Sequence, residues 1–323
     1  MRILRIMSKF LVFVLINGLL FACNVFNKNS QVPGVTYVTS RGNPRANSIT
    51  WSPQDSTKIL VSGIDLVQHN SQVYVLDITT KKKTVLIDTD YSGVFGNGWS
   101  PDGKQIALSV DGATKRFFRA GLWMMNTEDN SLELLLDKSS DVVWLPDGNT
   151  LAFLALDLVS DQNPRRISIY LMDIQTKESK LIYSNQEAIS FSGFSSSPDG
   201  KYLVFSLNSD YYSVVPDLYI LNVQTGTVNQ LTHDGVSSSP QWSPNGDLIV
   251  YVKSNKAGDR TILSLHIFLP DGSCDIEIPN VEYAFSPTWS PDGRKIGFIG
   301  EEGIYVLDTD IVFGRDIYQN LCP

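Results

Sequence analysis

Short apolar runs of alternating or branched character recur along the chain, each about five residues long and bounded by polar turn residues. Lys58–Ser62 (KILVS), Gln105–Val110 (QIALSV), Thr150–Ala155 (TLAFLA), Tyr202–Leu207 (YLVFSL), Leu248–Val252 (LIVYV) and Lys295–Ile299 (KIGFI) form one series. A second series is Val73–Asp77, Leu122–Asn126, Ile169–Asp173, Leu218–Asn222, Leu263–Phe268 and Ile304–Asp308. Both are rich in the branched and aromatic residues that pack well on a pleated surface, so they predict strands. Almost no segment has the helical period. Further strands are expected before each following repeat, as at Lys83–Ile87 and Thr227–Thr232.

A pentapeptide precedes each member of the first series: Trp51-Ser-Pro-Gln-Asp55, Trp99-Ser-Pro-Asp-Gly103, Trp144-Leu-Pro-Asp-Gly148, Ser196-Ser-Pro-Asp-Gly200, Trp242-Ser-Pro-Asn-Gly246 and Trp289-Ser-Pro-Asp-Gly293. The prolines stand 48, 45, 52, 46 and 47 residues apart. Ser, Pro, Asp or Asn, then Gly fits a type I turn: proline presets φ, the small polar side chains bond back to the backbone, and glycine accepts a left-handed conformation. Each copy is therefore a hairpin connection, including the first, where Asp55 replaces glycine, and the third, where Leu145 replaces serine. Units of about 45 residues holding four short strands, repeated six times, predict a six-bladed β-propeller of four-stranded antiparallel blades.

The run Trp-Ser-Pro-Asp-Gly-Lys followed by an aliphatic strand resembles the repeat of TolB-like β-propellers, and Gln230–Val252 is similar to it across a whole inter-blade junction. The resemblance covers roughly residues 35–310. The sixth unit is short of an outer strand, and supplying one from a terminus would close the ring by pairing the first and last blades. The strand-like Pro33–Ser40 or Asp316–Leu321 would supply the missing outer strand of the sixth blade. Closure matters because an open ring exposes a sheet edge.

The first residues follow a different pattern. Arg2, Arg5 and Lys9 precede the apolar run Phe10–Ala22, which is too short to span a bilayer and has the form of an export signal. Leu20-Phe21-Ala22-Cys23 resembles the lipobox of bacterial lipoproteins, in which the cysteine becomes the acylated N-terminus. An ordinary signal peptide containing a cysteine is the alternative. The expected organisation is a signal peptide at 1–22, a polar tether at 23–34 and the propeller at 35–323, with Cys23 lipidated and the chain held at the periplasmic or extracellular face of a membrane. Export permits a disulfide between Cys274 and Cys322; two free thiols are the alternative.

Composition narrows the chemistry. A net charge of −8 lacks the basic footprint of a general nucleic-acid binder. Gly193-Phe-Ser-Ser-Ser197 is the nearest approach to a nucleophile elbow, but it lacks the second glycine and precedes a turn. The hydrolase domain that some propeller peptidases carry has no room here. Of the three histidines, His266 alternates within a strand, whereas His69 and His233 fall in loops of opposite blades. Asp88-Thr-Asp90 and Asp308-Thr-Asp310 read as solvated turns rather than Ca²⁺ ligands. The repeated tryptophans could form an aromatic ligand ring, but their recurrence fits packing in the wedge between blades. No cofactor, metal or catalytic residue is expected.

What does not repeat is the set of loops joining second to third strands, on the face opposite the pentapeptides. Arg116, Phe117, Phe118 and Arg119 lie in the second unit, Arg165 and Arg166 in the third, and Tyr211 and Tyr212 in the fourth. These residue types are enriched at interface centres. Solvated arginines with phenylalanines packed beneath their own loop are the alternative. The reading is a monomeric, non-catalytic propeller that binds a protein or peptide at the cell envelope, as the family resemblance suggests. Two alternatives remain: a lyase or hydrolase acting on polysaccharide at the channel mouth, as in some propellers of this repeat type, and a small-ligand or metal sensor.

Overall fold

The computed structural model describes residues 33–39, 45–65, 70–89, 93–112, 119–137, 141–157, 166–185, 190–208, 216–257 and 260–314. The signal segment, Cys23, most of the tether and Cys322 lie outside them.

Six four-stranded antiparallel sheets follow one another along the chain as the blades of a propeller. Blade 1, for example, consists of Arg45–Ser52, Asp55–Asp65, Asn70–Asp77 and Lys83–Asp88, paired in that order. Blade 6 takes three strands from the C-terminal region and its outermost from the N-terminus: Val35–Tyr37 pairs antiparallel with Ile304–Asp308, Val35 opposite Leu307. Of the two candidates for closure, the N-terminal one closes the ring. Asp316–Leu321 lies outside the described residues. A buried Thr39 Oγ1 accepts from the Ile304 amide at 3.0 Å and anchors the end of the closing strand.

The core lies between blades rather than within them. Six buried clusters occupy the six junctions, including Leu60, Val73 and Ile106 between blades 1 and 2, and Val250, Ile267 and Phe298 between blades 5 and 6. The anchor tryptophans enter these clusters. Trp51, Trp144, Trp242 and Trp289 are buried, and Trp51 Nε1 donates to the Thr288 carbonyl of blade 6 at 3.1 Å. Wedge packing is thus their role.

The pentapeptides form hairpins for the reasons read from their composition. In blades 2, 4, 5 and 6 the serine hydroxyl donates to the Asp or Asn two residues on, at 2.6–2.7 Å. The same oxygen accepts the backbone N–H five residues on, at 2.9 Å. In blade 3, where Leu145 has no hydroxyl, Thr150 Oγ1 donates to Asp147 instead, at 2.7 Å. The five glycines adopt positive φ of 70–80°. Blade 1 departs from expectation: Ser52 pairs directly with Asp55, so the turn has two central residues and Asp55 opens the next strand. The Asp55 carboxylate bonds the Thr57 amide and Lys58, which fixes that strand start without a glycine.

A second repeated turn joins third to fourth strands on the same face. Asp77, Asp173 and Asn222 each accept two successive backbone amides two and three residues on. The turn face is therefore built almost entirely from locally satisfied repeats.

Strands exceed their apolar runs toward the opposite, connector face. Arg166, expected in a loop, belongs to a strand, opposite Asp157, and Ser254–Ala257 continue the second strand of blade 5 beyond its apolar run. Backbone ladders need no apolar side chain, so polar residues extend these hairpins beyond the core.

Candidate functional site

The topology brings the second-to-third connections of blades 2, 3 and 4 to one face, in three neighbouring blades. Arg116, Phe117, Phe118, Arg165, Tyr211 and Tyr212 lie outside the described residues, and Arg166 is placed by its backbone only. Arg119 is exposed; its guanidinium meets Asp137 at 3.0 Å, and its carbonyl accepts Trp123 Nε1 at 3.3 Å. The root of the blade 2 loop is thus tied to the end of that blade's outer strand.

Asp141, which sequence reasoning missed, stands beside this loop cluster at the start of the innermost strand of blade 3. Asp141 is exposed. Desolvation by the surrounding protein, and then the charge of Asp111 on blade 2, push its pKa above the ordinary carboxylate value. No motif announces the pair: Asp111 and Asp141 approach only because blades 2 and 3 are neighbours.

A dense polar cluster lies on blade 5, facing blade 4. His266 Nδ1 bonds Asp275 Oδ1 at 2.9 Å and His266 Nε2 contacts Ser264 Oγ at 3.2 Å. Tyr251 Oη donates to Asp275 at 2.8 Å, and Lys253 bridges Asp234 and Asp275 at 3.0 and 3.3 Å. Burial alone would raise the Asp275 carboxyl; hydrogen bonds from His266 and Tyr251, with Lys253 nearby, outweigh it and lower its pKa to about 2. Burial, then Asp275, pushes the Tyr251 phenol up. The order Asp–His–Ser has the connectivity of a nucleophilic triad. However, Ser264 is 1% exposed within a paired strand, so no substrate reaches it. The cluster fixes the outer half of blade 5 to the connector that carries Asp234, and His266 is structural.

The other polar candidates also have local roles. Asp308 caps the short helix Thr309–Phe313 by accepting the Ile311 amide at 3.1 Å, and Asp88 accepts from Asn70 at 2.9 Å. His233 is exposed, while His69 and Asp90 lie outside the described residues. Among the described residues no three His, Cys, Asp or Glu side chains converge as a metal site, and no helix is long and apolar enough to cross a membrane.

Residues 160–312 match a family profile described as PD40, the TolB beta propeller domain. Over those residues the chain is similar to that TolB propeller domain. An uncharacterized protein of Agrobacterium fabrum is 28% identical over 232 residues, covering 71% of this chain and 73% of that protein. The Tol-Pal system protein TolB of Francisella tularensis subsp. mediasiatica is 27% identical over 226 residues, covering 68% of this chain and 49% of that protein. The chain thus spans about half the length of that TolB relative. Among solved structures, a putative TolB from Agrobacterium tumefaciens superposes with a TM-score of 0.60 at 20% identity, over 82% of this chain and 90% of the other. An oligogalacturonate lyase from Vibrio parahaemolyticus does so with 0.57 at 14% identity, over 85% and 93%. At such identities the structural likeness is one of fold, and lyase chemistry does not transfer with it. In this propeller the two faces differ: the turns of one repeat, whereas the connections of the other do not.

Proposed function

We propose that this chain is an exported, non-catalytic propeller, anchored through a lipid on Cys23, that holds a protein or peptide partner at the cell envelope. The partner docks on the connector face of blades 2, 3 and 4. The observation carrying this reading is the asymmetry of the faces. The turn face consists of repeated hairpins whose polar groups bond one another, whereas the connections between second and third strands of blades 2, 3 and 4 do not repeat and carry, in sequence, Arg116, Phe117, Phe118, Arg119, Arg165, Arg166, Tyr211 and Tyr212. Arginine and aromatic side chains give interfaces their strongest contacts. The name of the Tol-Pal system proteins among the relatives supports a protein-binding role.

The test is affinity capture from envelope extract, with cross-linking to locate bound protein. Replacing Arg116 and Arg119 together with alanine should reduce capture several-fold and leave the melting temperature unchanged. The exposed Arg119–Asp137 pair is worth at most about 1 kcal/mol. A variant that melts earlier yet captures the same protein equally well would show these loops to be structural.

A further inference from the structure

A cleft of about 610 Å³ opens on the turn face between blades 5 and 6, with Pro244, Leu248, Trp289 and Pro291 among its lining and Arg294 at its side. Gly314, the last described residue, also lines it. The helix Thr309–Phe313 leads there, with Val312 and Phe313 packed on the core shared by the two blades. On the same face Cys274 occupies the hairpin between Arg260–Phe268 and Ile276–Glu277 of blade 5, and it is disulfide-bonded. Its partner lies outside the described residues, and the remaining cysteines of the sequence are Cys23 and Cys322.

We infer that the partner is Cys322, and that residues 315–323 form a disulfide-held strap occupying the cleft. The choice rests on the proposed lipid anchor, which claims Cys23. Reach admits it. Leu248 adjoins the second strand of blade 5 and Cys274 adjoins the fourth, two strand spacings or roughly 10 Å apart. The eight residues from Gly314 to Cys322 extend about 26 Å. The slack lets the segment lie along the cleft before it reaches the bond. Its chemistry matches: Ile317, Tyr318 and Leu321 suit the proline, leucine and tryptophan lining, and Asp316 suits Arg294. In forming the bond, the two thiols lose two protons and two electrons. A disulfide oxidant of the exported compartment accepts the electrons by thiol–disulfide exchange and is reduced to its dithiol. The strap then clasps blade 6 to blade 5, beside the hydrogen-bonded closure by Val35–Tyr37.

Non-reducing digestion of the mature protein followed by mass spectrometry should yield a Cys274–Cys322 linked peptide. Hydrogen exchange at residues 243–248 and 289–294 should rise several-fold in Cys322→Ser, and likewise in wild-type protein treated with reductant. Exchange at Gln105–Val110 in blade 2 should stay constant and report an intact fold. A Cys274–Cys23 peptide would overturn the strap and the lipid anchor together. A Cys274–Cys322 peptide with unchanged exchange at the cleft would overturn the strap alone, as would an unbonded Cys274. The acylation state of the N-terminal peptide, read from the same digest, reports on the anchor independently.

Discussion

Ser196 Oγ donates a 2.8 Å hydrogen bond to the carbonyl of Trp144, the anchor residue of the preceding blade. Ser196 is the one anchor that is not tryptophan, and Leu145, next to Trp144, is the one residue that replaces the turn serine. The two departures meet at one junction. Leu145 is 6% exposed in the cluster that joins blades 3 and 4, with Phe194, Leu203 and Phe205. A leucine from one blade thus fills the wedge that a tryptophan from the next fills elsewhere.

Exchange between these positions makes their substitutions interdependent. Ser196→Trp alone should overpack the junction at a cost of about 1–3 kcal/mol. Leu145→Ser alone should lose roughly 2–4 kcal/mol through the cavity and the buried hydroxyl. The double variant should recover at least about 1 kcal/mol relative to their sum. Urea denaturation of the four proteins measures the coupling; strict additivity would mean that the two side chains do not share the space.

The turn glycines differ in what surrounds them. Gly246 has φ of 80°, and an added Cβ would lie 3.1 Å from Pro198 of blade 4, while Gly148 has φ of 71° and an open surround. Gly148→Ala should cost only the left-handed penalty, about 1 kcal/mol. Gly246→Ala adds crowding against the neighbouring turn and should cost about 2 kcal/mol. Thermal melts of both variants would expose an error if the two losses were equal.

Asp275 contributes stability with a defined pH window. Its folded pKa of about 2 lies below the ordinary 3.8. The contribution is therefore complete above the higher value and lost as pH falls through the lower one. Asp275→Asn should destabilise the protein at pH 7 by roughly 1 kcal/mol after allowance for partial solvent screening. The difference from wild type should close toward pH 2. A gap that stays constant down to pH 2 would assign the effect to geometry rather than charge.

Asp141 has the opposite sign. Its folded pKa is raised, so its cost to stability is absent at low pH and grows as pH rises from the ordinary value of 3.8 to the raised one. Asp141→Asn should melt higher than wild type at pH 7, with the advantage disappearing below pH 4. A lower melting temperature at pH 7 would show that the carboxylate is favourably paired.

The sequence by itself determined the blade count, the four-strand unit and the faces on which turns and variable loops lie. These depend on neighbours in the chain: proline and glycine set dihedrals, Ser and Asp bond amides within five residues, and alternating side chains choose a face. The loop boundary at Arg166 was not legible there, because a backbone ladder can continue where the apolar pattern stops. Only the tertiary structure decided which terminus closes the ring, that Leu145 answers Ser196, that His266 and Asp275 join Tyr251 and Lys253, and that Asp111 faces Asp141. Each of those depends on strands or blades coming side by side. Packing between segments tens of residues apart follows shape and charge in space, and it leaves no period along the chain.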